Sequence, residues 1–273
     1  MVKFGKQVVK HRVAILIASF LLLIPSVFGY FHTRVNYDVL TYLPDDIETM
    51  QGQDIMLEDF GIGAFSMFMV DGMEDKDVAA LKSKIEQVDH VKDVLWYDSI
   101  SDISVPKSML PKEIYEVFNS DKGTMMAIFF DDITSADETL DAVKEIRHLS
   151  GKQCFLSGMS AVVEDTKELS EKETPIYVLI AVLLSTLVLA VTMESAFVPI
   201  LFLLSIGMAI VYNLGSNISL GEISYVTKAL SAVLQLGVTM DYSIFLMHSY
   251  QEQQVRYDGD KKRAMAHAIS QTF

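Results

Sequence analysis

Four long apolar runs interrupt an otherwise polar chain: Val13 to Phe31, Pro175 to Met193, Ala196 to Leu214 and Tyr225 to Met247. At 1.5 Å per residue each is long enough to cross a hydrocarbon layer of roughly 30 Å. The pattern predicts four membrane-spanning helices, the last broken only by Lys228 and Asp241. Between the first and second runs the period changes. Ala64–Val70 and Val91–Tyr97 are apolar and β-rich, and Lys76–Val88 between them carries Val78, Leu81, Ile85 and Val88 at helical spacing. A connection through Pro106 and Pro111, with a short helix near Glu113–Asn119, leads to a strand at Thr124–Phe130. A helix follows at Ser135–Leu149 with Leu140, Val143, Ile146 and Leu149 inward, then a strand at Gln153–Ser157.

Two β-α-β units in succession predict one sheet with helices on one face, a ferredoxin-like sandwich. Pro44 to Phe60 reads as a helix before it, and Ser160–Lys172 as a helix running into the second span. The expected fold class is therefore an α+β membrane protein: a transmembrane helix, an exterior ferredoxin-like α+β domain, and a bundle of three further transmembrane helices. Its domains are residues 1–33 (N-terminus and first helix), 34–174 (exterior domain), 175–249 (helices two to four) and 250–273 (a cytoplasmic segment).

Charge orients this arrangement. Lys3, Lys6, Lys10 and Arg12 precede the first span, and Arg256, Lys261, Lys262 and Arg263 follow the fourth, so both ends are expected in the cytoplasm of a multi-pass cell-membrane protein. The Met193-Glu194-Ser195 turn then lies inside and residues 215–224 outside. Of the 36 acids, 30 fall between Arg34 and Thr174, against 13 of the 22 Lys and Arg, so the formal charge of −14 is almost wholly exterior. That acidic surface excludes nucleic acid, and disfavours anionic headgroups, as partners of the exterior domain.

A basic start and an apolar run also describe a cleaved signal peptide. The run exceeds a usual signal core and its end, Pro25 to Phe31, lacks a small-x-small cleavage site, which favours a retained helix. Cys154 is the only cysteine, so no intrachain disulfide and no thiol metal site is expected. Asn217-Ile218-Ser219 fits a glycosylation sequon close to the membrane.

Asp241 is the position on which function turns. An ionised carboxylate within an apolar span costs on the order of 2.5–3.5 kcal/mol, so it should face protein or water and exchange a proton. The phenol of Tyr242 can hydrogen-bond either protonation state. Gly237, one turn earlier, leaves bare backbone beside the carboxylate where another helix could approach. Gln235, Thr239 and Tyr242 follow i, i+4, i+7 and predict a polar stripe supporting the relay. The rival reading is a structural ion pair, but Lys228, the one basic residue of that span, lies about 20 Å away along the axis and is placed to snorkel.

The run Leu236-Gly237-Val238-Thr239-Met240-Asp241-Tyr242-Ser243-Ile244-Phe245-Leu246 resembles the fourth helix of resistance-nodulation-division (RND) transporters, with the MMPL-like branch nearest. Val35-Asn36-Tyr37-Asp38, Leu43-Pro44-Asp45-Asp46 and Glu58-Asp59-Phe60-Gly61 carry the same resemblance. It implies a porter-type exterior domain, an intramembrane proton relay through Asp241 and Tyr242, and export of lipidic or amphiphilic cargo. Complete members of that family have two such halves. This chain is expected to be the N-terminal half, ending where a fifth helix would begin, with the C-terminal half, the bilayer and a hydrophobic cargo as partners. Assembly into oligomers is left open. No enzymatic activity, cofactor or metal is expected, and no nucleotide-binding motif is present. The alternatives are a lipid-sensing receptor or scaffold that does not transport, and an accessory motor for protein secretion.

Other features read more plainly. The 15 Met are core gap-fillers. His248 is an interfacial residue before it is a relay member. Asp131-Asp132 with Asp137 and Glu138 lacks calcium-loop spacing and reads as a solvated face. Gly61-Ile62-Gly63 suits a flexible approach to the first strand.

Overall fold

A computed structural model of the chain describes residues 2–100, 111–120, 122–193 and 197–272. The expected connection at Pro106 and the expected turn through Glu194 and Ser195 lie outside the described residues. The chain divides into two compact units, Tyr37–Glu171, and Met1–Asn36 together with Lys172–Phe273.

The second of these begins with a short amphipathic helix α1 (Val2–Lys10) and continues into α2 (Arg12–His32) and strand β1 (Arg34–Asn36). The other unit, Tyr37–Glu171, follows. It contains α3 (Glu48–Glu58), β2 (Ala64–Asp71), α4 (Asp75–Ile85), β3 (Val91–Leu95), α5 (Lys112–Phe118), β4 (Gly123–Phe130), α6 (Asp137–Leu149) and β5 (Cys154–Ser157). Helix α7 (Met159–Thr192) begins in this unit and ends in the membrane-helix unit, which is completed by α8 (Phe197–Ser216), β6 (Glu222–Ser224), α9 (Tyr225–Arg256) and α10 (Lys261–Thr272).

The four strands β2 to β5 form one antiparallel sheet in the order β3-β4-β2-β5. The long central pair runs in register from Ala64 opposite Phe130 to Asp71 opposite Gly123. Alternation explains its stability. Phe68 and Val70 of β2, and Met126, Ile128 and Phe130 of β4, are buried in one core with Val94 of β3, Val78 and Ile85 of α4, and Val143 and Ile146 of α6. The opposite face is also apolar but open: Phe65, Met69 and Phe155 are exposed, with Met67, Met125 and Phe129 half-buried beside them. Trp96, fully buried, donates its indole N–H to Thr124 Oγ1 at 2.7 Å, and that hydroxyl donates onward to the Phe118 carbonyl at 3.0 Å.

Among the described residues, four helices are long and apolar enough to cross a membrane: Arg12–His32, Met159–Thr192, Phe197–Leu220 and Tyr225–Arg256, the third counted through the short 3-10 turn that extends α8. Helices α2 and α8 touch backbone to backbone. A β-carbon added to Gly29 would overlap the Gly215 carbonyl, and one added to Gly215 would overlap the Ser26 carbonyl. Small residues permit this approach, which is how membrane helices gain packing without a hydrophobic driving force. Tyr212 of α8 donates its hydroxyl to the Ser19 carbonyl of α2 at 2.6 Å. Strands β1 and β6 pair in parallel, Arg34 opposite Glu222 and Asn36 opposite Ser224.

Residues 250–273, for which the sequence predicts no element, form a helical hairpin: α9 continues to Arg256, the chain turns through Asp258 and Gly259 at positive φ (47° and 85°), and α10 returns along α9. Asp260 caps α10, its Oδ1 accepting from the N–H groups of Lys262 and Arg263 at 3.1 Å. Gln271 Oε1 ties the hairpin by accepting from Ser249 Oγ and Gln253 Nε2, each at 3.1 Å. Helix α1 then packs on α10, with Gly5 so close that a β-carbon there would overlap the Ala266 carbonyl.

Candidate functional site

The polar positions of α9 separate into two groups. Gln235 and Thr239 are half-buried and joined: Gln235 Nε2 donates to Thr239 Oγ1 at 3.3 Å, and Asn213 Nδ2 of α8 donates to Gln235 Oε1 at 3.4 Å. The Thr239 carbonyl also accepts from Ser243 Oγ at 2.8 Å. Of these, the Asn213–Gln235 bond ties α9 to α8 through two side-chain amides, a favourable use of polarity between apolar helices.

Asp241 and Tyr242 do not join that group. Both are exposed, Tyr242 by 63%, and among the described residues Asp241 draws no hydrogen bond or ion pair. The stripe expected from Gln235 through Thr239 to Tyr242 therefore stops at Thr239. Rotation does not separate them: at 100° per residue Tyr242 falls about 20° from Gln235 around α9, but two turns further along the axis, where its side chain is exposed. Gly237 is likewise open, with nothing within 4 Å of a β-carbon placed there, so among the described residues no helix approaches the bare backbone. Gly237, Asp241 and Tyr242 are all exposed on α9.

Lys228 is not a partner of Asp241. Its Nζ sits 5.5 Å from the ring centroid of Tyr30, a cation–π contact near the end of α2. Asn213 is the contributor that sequence reasoning missed. Its signal was present, a lone carboxamide in an otherwise apolar run, but only its neighbour in space gives it a role.

A membrane protein with several spanning helices and an α+β domain between the first and second is the class these features define. The chain belongs to the MMPL family, whose model matches residues 42–273. The match covers all but the first five residues of the α+β unit, and the three later spans. At the family level it places the chain with RND-type membrane transporters of lipidic compounds. No curated protein matches the chain.

Proposed function

We propose that the chain is half of a proton-motive-force-driven exporter of lipidic or amphiphilic compounds, and not an enzyme, with Asp241 as the proton carrier and Tyr242 as its hydrogen-bonding neighbour. The observation that carries this reading is an acidic side chain well inside an apolar helix with no partner among the described residues of its own chain. A structural ion pair would need a cation, and the one cation of α9's apolar stretch is engaged with Tyr30. A carboxylate left in hydrocarbon at a cost of on the order of 2.5–3.5 kcal/mol is retained where it works.

Gly237 and Asp241, both exposed and within about 40° of one another around α9, suit a partner not found among the described residues, in keeping with a second half bringing a matching helix. Proton uptake neutralises Asp241 and removes its demand for water or a polar partner. The balance of contacts on that face shifts, and two packings of the helix exchange population. Cargo then passes by way of the α+β domain, which on this reading is exterior and porter-like, at the cell membrane.

Asp241→Asn tests the proposal in the assembled transporter. The amide keeps size and hydrogen bonding but cannot become an anion, so proton-coupled transport falls to background while insertion and melting temperature stay at wild-type values. Tyr242→Phe is milder. A structural pair gives a different result, because Asn would strand a buried cation and destabilise the protein by about 3–5 kcal/mol. Wild-type transport by Asp241→Asn eliminates the relay, and a protein with no transport at all under a proton gradient favours a lipid-sensing scaffold.

A further inference from the structure

The docking of α1 on α10 creates a groove at the start of the first membrane helix. It encloses about 620 Å³, within the range of small-molecule sites. Five basic residues line it, Lys6, Lys10, Arg12, Lys262 and Arg263, with the imidazole of His267. The single acid of the lining, Asp260, is already engaged by the backbone N–H groups it caps. Arg263 lies against the Tyr257 ring, 4.5 Å from its centroid. Among the described residues, Lys6, Lys10, Arg12 and Lys262 form no ion pair.

Convergent cations without a counterion repel one another, so this groove is electrostatically incomplete as the chain builds it. Its position says what completes it. Arg12 and Val13 open α2, so the charged lining stands at the boundary between polar chain and the apolar span, where lipid phosphates lie. A second cleft of about 330 Å³ shares Val9, Arg12 and Lys262 with the first, and the rest of its lining is Val8, Met265 and Ile269 with Tyr250 and Lys261. A cationic chamber joined to one that adds aliphatic side chains matches a molecule that is anionic at one end and hydrocarbon at the other. The acidity of the whole chain does not oppose this, because the acids are concentrated in residues 34–174.

We propose that this groove binds the headgroup phosphate of an anionic glycerophospholipid from the leaflet that the α2 N-terminus faces, with the adjoining apolar cleft covering the start of an acyl chain. The site is separate from the Asp241 surface, and neither its occupancy nor its test depends on transport.

The experiment uses the whole chain, purified in a neutral detergent and placed in phosphatidylcholine nanodiscs with and without phosphatidylglycerol. Retained lipid is measured by native mass spectrometry and the melting temperature by intrinsic fluorescence. The wild-type chain should retain phosphatidylglycerol selectively and melt higher with it. Removing one of the lysines should weaken retention about fivefold, and Lys6→Gln/Lys10→Gln/Lys262→Gln together about 100-fold. Lys228→Gln, outside the groove, should leave the selective retention of phosphatidylglycerol unchanged. Equal retention by wild type and triple variant overturns the proposal. So does equal protection by inorganic phosphate or glycerol phosphate at matched concentration, which would assign the groove to a soluble anion. If the triple variant is not recovered folded, Lys10→Gln alone decides: the fivefold loss supports the site, and unchanged affinity overturns it.

Discussion

Thr124 shows how one hydroxyl can be committed twice. It accepts from buried Trp96 and donates to the Phe118 carbonyl, so Thr124→Val keeps the shape of the side chain but leaves an indole N–H without an acceptor. The expected cost is about 1–3 kcal/mol, read as a lowered denaturation midpoint, while Thr124→Ser stays near wild type. Tyr97, the neighbour of Trp96, is sensitive to pH in a defined direction. Burial first, then the Asp75 carboxylate, push its phenol from 10.0 up to about 12. The fold therefore favours the neutral phenol. Stability from this group is complete below the ordinary tyrosine value near 10 and is lost as pH rises through about 12. Tyr97→Phe should flatten the alkaline slope of stability against pH, and a difference ultraviolet titration should show one tyrosine fewer ionising near the top of the range. A wild-type slope unchanged by the substitution would refute the assignment.

Among the elements, what packs α2 against α8 is an absence of side chain. Gly215→Leu would drive carbons into the Ser26 backbone, which cannot rotate aside as a flexible side chain could, and should cost at least about 1–3 kcal/mol. Gly237→Ala meets open space and should be neutral or stabilising by up to about 1 kcal/mol, since alanine is the better helix former. Thermal unfolding of the whole chain in detergent checks both. If Gly237→Ala keeps stability but impairs transport in the assembled protein, an incoming helix uses that backbone. The same physics explains what the sequence leaves illegible. The four spans and the alternation of β2 and β4 are written in large apolar residues, whose period can be read directly. Apart from Ile269, helices α1 and α10 are buried through Gly5, Ala264, Ala266 and Ala268, residues too small to weigh in a hydrophobic pattern. Strands β1 and β6 are three residues each, too short to show a period of two, and they pair across most of the chain. At the site, Asp241 is conspicuous as a charge inside an apolar run. Which of its neighbours find a partner depends on where along its length α9 meets α8, and spacing alone does not show that Tyr242, two turns past Gln235, is exposed.

At the scale of the molecule, residues 37–171 hold their own sheet, helices and core, so a fragment with those bounds should give mixed α/β circular dichroism and one cooperative melt. A non-cooperative product would show that the unit borrows stability from the membrane helices. Charge asymmetry sets the expected sidedness. On a Cys154→Ser background, Glu138→Cys should react with an impermeant thiol reagent from outside, and Lys261→Cys only after permeabilisation; outside labelling at 261 would overturn the four-span topology. The parallel ladder of β1 and β6 bears on how the membrane helices can move. It joins the residues just after α2 to those just before α9 by main-chain hydrogen bonds, reinforced by Asn36 Nδ2 donating to Glu222 Oε1 at 3.1 Å. Sliding α9 along the membrane normal like a piston would break that staple. Rocking about it would not, so of the two motions the ladder is compatible with a swing of the far end of α9 and not with a slide along its axis.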